Sequence, residues 1–482
     1  MTITTPNWVK HAVFYQIFPD RFARTQQRRD RPEMAVSLEP WDAPPTLKGY
    51  KGGDLWGVAA KLDYLQDLGI NALYFTPIFQ SPCNHRYHTH DYYQVDPLLG
   101  GNAAFAVLLT QAHDRGIRVV LDGVFNHASR GFFYFNDILE NGPHSPWLEW
   151  FKIEGWPLSA YDGAQPANYV SWIGNRALPQ FNHDHPAVRE YLMQIGEYWV
   201  RQGIDGWRLD VPFEIKTEGF WQEFRQRIKA INPEAYIVGE IWRDARPWLD
   251  GTQFDGVMNY LCTGPALAFA AGDRVLMPYV ETPDYYPYPP LDAAGYDAKI
   301  QALLALYPWE IQLTQLNLLS SHDIARAFTV VGEDIPSMEL AVLLLITFPG
   351  APSIYYGEEV GLPGGLDPDC RRGFPPEATW NTRLLTTYKS LIALRHHHPA
   401  LRVGHYKTLW AAGMVYAFAR HLPEAAIAVI VNAGDTPQEI PLTDLPAGFA
   451  TSPQVLYGPG ILTATLPHPR ISLPARSGTL LG

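Results

Sequence analysis

Seven residues near the ends of four short apolar runs could do chemistry together. They are Asp122 and His127 in "VVLDGVFNH", Arg208 and Asp210 in "GWRLD", Glu240 in "IVGEIW", and His322 with Asp323 in "LLSSHD". Taking an ion out of water costs on the order of several kcal/mol unless it is paired. Arg208 and Asp210 alone therefore read equally as a structural ion pair or as one wall of an active site. Four run ends that carry charge are harder to explain by packing, because gathered like charges raise one another's energy. Carboxyls and histidines with no cysteine ligands or HExxH motif beside them suit glycosidic-bond chemistry better than metal-assisted hydrolysis. One ionised carboxylate attacks or stabilises the anomeric carbon, and a second, kept protonated, protonates the leaving oxygen. Spacing does not say which carboxyl takes which part.

The elements that must position these groups alternate along the chain. Strands are predicted at 12–19, 71–77, 117–127, 206–210, 235–242, 254–260, 316–323 and 353–359. Helices are predicted at 53–69, 102–116, 186–203, 220–231, 337–348 and 383–398. Asp54 is placed to cap the first helix and Gly69 to end it. Eight strands with intervening helices predict a (β/α)8 barrel, whose chemistry collects at the C-terminal strand ends. A doubly wound dinucleotide fold is the rival, but no first strand is followed by GxGxxG. Residues 128–185, rich in Trp, Phe, Gly and Pro without a period, predict a subdomain inserted after the third strand. From 399 onward, "GMVYAFARHL", "AAIAVIVNAG" and "PQVLYG" predict a small antiparallel β domain. The division is thus 1–127 with 186–398 for the barrel, 128–185 for the insert and 399–482 for the C-terminal domain. The Pro- and Tyr-rich stretch 277–295 falls after the sixth strand, where a substrate wall and a passive loop are both open readings.

Composition narrows the partners. The 482 residues carry 37 basic and 49 acidic side chains for a net charge of −12, and no Lys/Arg block offsets this. That argues against nucleic acid. The longest apolar run, 340–348, is too short to span a bilayer, and the N-terminus has no secretory pattern. Three scattered cysteines without a CxxC spacing predict a reducing compartment and no zinc site, so the cytoplasm is the expected location. Many of the 15 Trp and 26 Tyr fall in loop-like segments, where flat faces could stack on sugar rings.

"DGVFNH", "GWRLDVPFE", "IVGEIW" and "LLSSHD" resemble, in order, the four signature regions of the α-amylase family, glycoside hydrolase family 13, and "LPQFN" (178–182) resembles the fifth. "VFYQIFPDRFA", the stretch 52–88, "GEIWRDARPWL" and "YYGEEVGLPGGLDPDCRR" are most similar to the neopullulanase, cyclomaltodextrinase and maltogenic amylase group. The resemblance implies α-glucan substrates and hydrolysis with retention. It implies Asp210 as nucleophile, Glu240 as general acid and base, and Asp323 as clamp on the hydroxyls of the −1 sugar. Arg208 would hold Asp210 ionised, Asp122, His127, His322 and Trp242 would contact sugar, and Tyr87 would stack beneath it. Asp367 and Arg371 match residues that meet the sugar beyond −1, and Glu214 is a candidate for tuning the acceptor side.

Several departures from the family stand out. The first barrel strand is expected near residue 12, so the group's N-terminal β domain is expected to be absent. The calcium loop that often follows "RFA" reads "RTQQRRDRPE", so no cofactor is expected to be required, although calcium stays possible through Asp54 or Asn126. His88 in "YHTHDYY" stands where the family has Asp, and "VPFE" replaces "VANE". A 4-α-glucanotransferase with the same residues is the alternative enzyme, and a non-catalytic sugar-binding protein the alternative class. Linkage preference and oligomeric state stay open.

Overall fold

Short strands that must bury both faces pair in parallel and need helices packed outside them. In the computed structural model, which describes residues 3–25, 36–281, 289–450, 453–464 and 470–482, eight such strands close into a parallel barrel. They are β1 (Phe14–Ile17), β2 (Ala72–Phe75), β3 (Arg118–Gly123), β4 (Gly206–Leu209), β5 (Tyr236–Gly239), β6 (Gly256–Asn259), β7 (Leu316–Leu318) and β8 (Ala351–Tyr355). Each strand pairs with its neighbours in sequence, and β8 closes the ring with Ser353 opposite Phe14.

Every strand is shorter than its predicted run, because the ladder stops where the chain turns outward to carry polar groups. The predicted helix 53–69 is two helices, Leu55–Ala60 and Leu62–Leu68, broken at Lys61. Its ends match expectation: Asp54 accepts from the Gly57 amide, and Gly69 takes the left-handed conformation at φ 93°. A hairpin of Phe79–Gln80 against Asp91–Val95, which periodicity did not reveal, precedes helix Gly101–Asp114.

Phe14, Tyr74, Val120, Tyr236, Val238, Met258 and Leu316 fill the barrel. Outside it, helix Pro186–Arg201 buries Val188, Leu192, Ile195 and Trp199, the spacing of one helical stripe. Gly206 starts β4 because a Cβ there would lie 2.3 Å from the Tyr236 carbonyl oxygen. Between β3 and β4, helix Phe133–Asn141 and bridges pairing Phe151 with Phe181 and Ile153 with Tyr169 surround an aromatic core. That core explains the insert's composition.

The C-terminal residues form two antiparallel sheets. One has five strands, ordered His405–Ala412, Val415–His421, Ala426–Asn432, Ser477–Leu481 and Val455–Tyr457. The other has three. Leu409, Ala417, Ile430, Ile440, Ile471 and Leu481 pack between them. Of the stretch 277–295, residues 282–288 lie outside the described residues, as do 26–35 of the predicted calcium-loop position. No helix among the described residues is long and apolar enough to cross a membrane.

Candidate active site

Strand register makes the first part of the site. Asp122 of β3 lies opposite Arg208 of β4, and Leu209 opposite Gly239 of β5. The next residues, Asp210 and Glu240, therefore leave the barrel side by side. The Asp210 amide donates to the Gly123 carbonyl at 3.1 Å, and the Glu240 amide to the Leu209 carbonyl at 3.0 Å. Residues two apart on a strand share a face, so Arg208 and Asp210 point the same way.

Arg208 holds the carboxyls together. Its Nη1 donates to Asp122 at 2.9 and 3.0 Å and to Asp210 Oδ1 at 3.1 Å. Its Nη2 lies 3.1 Å from Glu240 Oε2. The side chain is wholly buried, with Nε directed to Met258 Sδ at 3.4 Å. Asp122 Oδ2 also accepts from the Tyr74 and Tyr87 hydroxyls at 3.1 and 2.9 Å. Glu240 accepts from the Val211 amide and from Trp242 Nε1, each at 3.1 Å. Val211 makes this bond from a left-handed backbone, φ 34°. For a β-branched residue that is strain of the kind stored at functional sites.

The loop after β7 brings the remaining polar pair, and its two serines explain its shape. Ser320 donates to Glu358 and accepts from the Ala327 amide, while Ser321 bonds the Tyr260 hydroxyl and accepts from the Asp323 amide. The His322 carbonyl accepts from Arg371 Nε at 2.9 Å. Gln16 of β1, with its amide nitrogen assigned as donor, lies 2.8 Å from His322 Nδ1. The imidazole proton then sits on Nε2, facing the Tyr87 hydroxyl at 2.5 Å and Asp323 Oδ1 at 3.2 Å.

Burial governs protonation here. It holds His322 well below the usual imidazole range, aided by Arg371 and Arg208, and brings His127 down to about 3. Both rings are neutral. Burial pushes all four carboxyls up: Asp122 to about 6, Asp210 further raised by Glu240, and Glu240 further raised by Asp323, each against the pull of Arg208. Arg208 faces three of these carboxyls and Arg371, itself paired with Asp367, the fourth, so acid outnumbers base and the cluster titrates as a unit that retains a proton above the ordinary carboxyl range.

The other candidate residues fall around this centre. His127 takes the Asn126 amide at Nδ1 (3.3 Å) and stacks on Trp172 of the insert at 5.4 Å. Trp242 stacks on Tyr260 at 4.1 Å, and the Tyr87 ring lies parallel to His322 at 5.4 Å. Asp367 and Arg371 pair at 2.9 Å, and Arg371 reaches within 3.8 Å of Asp323 Oδ1, so this pair borders the site rather than decorating a surface helix. Glu214 is not brought to the cluster. It ends the Pro212–Glu214 turn and lines a cavity of about 230 Å3 with Lys152, Gln180, His183 and Asp184.

Two residues considered for calcium have their oxygens engaged. Asp54 accepts from Gly57, Thr25 N and Thr25 Oγ1, and Asn126 Oδ1 accepts from Gln180 at 2.7 Å. Residues 26–35, which cover most of the candidate loop, lie outside the described residues. Gln16, Tyr74, Met258 and Val211 were not anticipated from sequence. Tyr74 and Gln16 sit on strands read only as apolar runs, but a polar group inside such a run is the signal that could have found them.

A parallel barrel with clustered carboxyls, one arginine and neutral histidines at the C-terminal ends of its strands defines a glycoside hydrolase site. The chain belongs to the α-amylase family: residues 16–370 match the family model described as "Alpha amylase, catalytic domain". It is thus a retaining glycoside hydrolase acting on α-glucans. It is 43% identical to a cyclomaltodextrinase of a Bacillus species over 89% of this chain and 73% of that protein. It is 42% identical to neopullulanase 2 of Thermoactinomyces vulgaris, over 89% of this chain and 70% of that protein. Among solved structures, a debranching enzyme from Nostoc punctiforme is 64% identical with both chains fully covered and a TM-score of 0.93.

Proposed function

We propose that this protein hydrolyses α-1,4 bonds of maltooligosaccharides, cyclodextrins or starch through a covalent glycosyl intermediate on Asp210. The observation that carries the assignment is the double grip of Arg208, which sets Asp210 and Glu240 against the two terminal nitrogens of one guanidinium. Retention needs two carboxyls about 5–5.5 Å apart on either side of the scissile bond. Glu240 holds the cluster's proton and delivers it to the leaving oxygen. Asp210 then bonds the anomeric carbon as the glycosidic bond breaks. Water, deprotonated by Glu240, releases the sugar with the same anomeric configuration. Asp323 supports this reading with a buried Oδ2 that has no protein partner among the described residues and is available to a sugar hydroxyl. His127 donates from Nε2 to the same sugar, His322 holds Tyr87 and Asp323 in place beside it, Tyr87 borders it, and Trp242, Asp367 and Arg371 face the units beyond.

Two observations extend the reading. The likeness to a debranching enzyme at 64% identity favours α-1,6 bonds as additional substrates. The likeness to an intracellular maltogenic amylase of Bacillus subtilis, 36% identical over 92% of this chain, favours a cytoplasmic location. Acid, nucleophile and counter-charge all come from the chain itself, so no cofactor is required for turnover. A product profile on cyclodextrin, pullulan, starch and maltotriose, run on protein dialysed against EDTA, tests all of this. Glucose and maltose released with α configuration support the assignment. Longer oligosaccharides dominating from maltotriose would make it a 4-α-glucanotransferase, and activity lost with EDTA would require a metal.

The hydrogen bond from Trp242 to Glu240 gives a pH prediction. Donation to the ionised carboxylate lowers the pKa, so Trp242→Phe raises it. The acid form then persists to higher pH, and the alkaline limb of kcat/KM moves upward. An unmoved or downward-shifted limb contradicts the role given to Glu240.

A further inference from the structure

A second set of ligating side chains lies beside the carboxyl site. Cys83, His85 and His88 come from the connection between β2 and β3, and their sulfur and ring nitrogens all lie within 4.8 Å of one another. The anchoring of the loop makes them converge. Arg86 adopts a left-handed backbone, φ 63°, and its amide donates back to the Cys83 carbonyl at 3.2 Å. Its guanidinium is fixed to Asp96 at 2.7 Å and to the Asn84 carbonyl at 2.6 Å. Asn84 in turn donates to the carbonyls of Leu47 and Gly49. The reversal at Arg86 folds the residues before and after it onto one side, and all three ligating residues are only partly buried.

We propose that Cys83, His85 and His88 bind a zinc-type divalent cation, and that its binding shuts down the neighbouring carboxyl site. One thiolate with two imidazoles is a donor set that selects zinc or a similar first-row ion over calcium or magnesium, with water in the fourth position. Each neutral imidazole offers one lone pair, and that of His85, which accepts from the Tyr87 amide at 3.2 Å, passes from the amide to the metal on loading. The Cys83 thiol, pushed up to about 11, releases its proton to solvent as the sulfur–metal bond forms.

Zinc–ligand bonds of about 2.0–2.3 Å tie all three donors to one ion, so loading pins the loop. Tyr87 lies between His85 and His88 and moves with them. Its amide donates to His85 Nδ1 at 3.2 Å, and its ring meets the His85 ring at 5.8 Å. Its hydroxyl contacts Asp122 and His322, so the pinned loop acts on the centre of the site. One ligand is His88, the residue that departs from the family's Asp. The cysteine spacing predicted no zinc site, because Cys-x-His-x-x-His converges only through the reversal at Arg86.

The test uses Co2+ as a spectroscopic probe on the full chain freed of metal by chelation. The expected result is a thiolate-to-cobalt charge-transfer absorption at one ion per chain, displaced by Zn2+, with hydrolysis lost in parallel. Cys83→Ser should abolish the absorption, keep basal hydrolysis, and weaken Zn2+ inhibition by at least about 10–100-fold, the loss that even outer-shell substitutions cause. His88→Ala should abolish the absorption as well. Cys262 and Cys370 are buried and serve as internal controls. No thiolate absorption in the natural protein, or one that survives Cys83→Ser, overturns the site. Zn2+ inhibition that is unchanged in Cys83→Ser overturns the coupling to the carboxyls.

Discussion

Glu240→Gln is expected to lower turnover by at least about 10²–10⁴-fold, the contribution of a general acid–base group, while leaving the fold and oligosaccharide binding in place. The amide fills the same space and keeps an oxygen to accept from the Val211 amide or Trp242. It has no proton to give the leaving oxygen. Gln is uncharged like the protonated acid it replaces, so it puts no charge beside Asp210 that would raise its pKa, and loss of activity cannot be assigned to a nucleophile turned off by protonation. Steady-state hydrolysis of maltotriose, alongside calorimetric binding of the same sugar, makes the comparison. Turnover within tenfold of the natural protein would refute the assignment.

Arg208→Leu is expected to destabilise the fold by about 3–5 kcal/mol near neutral pH, the usual consequence of leaving buried charges without their partner. Three carboxyls contact this guanidinium, and each stays buried when it is gone. The effect has a definite sign in pH. The folded pKa values of Asp122, Asp210 and Glu240 are already raised, and loss of Arg208 raises them further. A group with a raised folded pKa binds more protons when folded than when unfolded, so its contribution to stability is present at low pH and lost as pH rises through the folded value. The penalty of Arg208→Leu should therefore be smaller at pH 5 than at pH 7, measured by urea unfolding at both. Arg208→Lys should recover part of the stability but little activity, because an ammonium cannot hold three carboxyls in a planar fork. A loss below about 1 kcal/mol that does not change with pH would show that the cluster is not held by this arginine.

The architecture and the charged ends of its strands were legible in the sequence because both are local signals. An apolar run of strand length, bounded by turns and ending in a charge, is written within ten residues. Eight such runs separated by helical periods leave few topologies besides the barrel. Asp122, Asp210, Glu240 and Asp323 stand out because each lies at the end of such a run, while the choice among them and their separate parts come from the resemblance to the family's signature regions. The same reasoning overextended every strand, since apolar periodicity does not mark where ladder pairing ends. Glu214, the candidate for the acceptor side, ends the Pro212–Glu214 turn just beyond Asp210 and lines a cavity with Lys152, Gln180, His183 and Asp184.

The tertiary structure decided how the charges share one environment. Arg208 and Asp210 are an ion pair, but the pairing register of β3, β4 and β5 gives the same guanidinium to Asp122 and Glu240. No pattern in "GWRLD" contains that. The roles of Gln16, Tyr74 and Met258, and the convergence of Cys83, His85 and His88, likewise depend on contacts between distant segments or on one residue's backbone reversal. Composition and periodicity determine which groups end a strand. Strand register and loop anchoring determine which of those groups meet, and it is their meeting in a buried volume that sets protonation and chemistry.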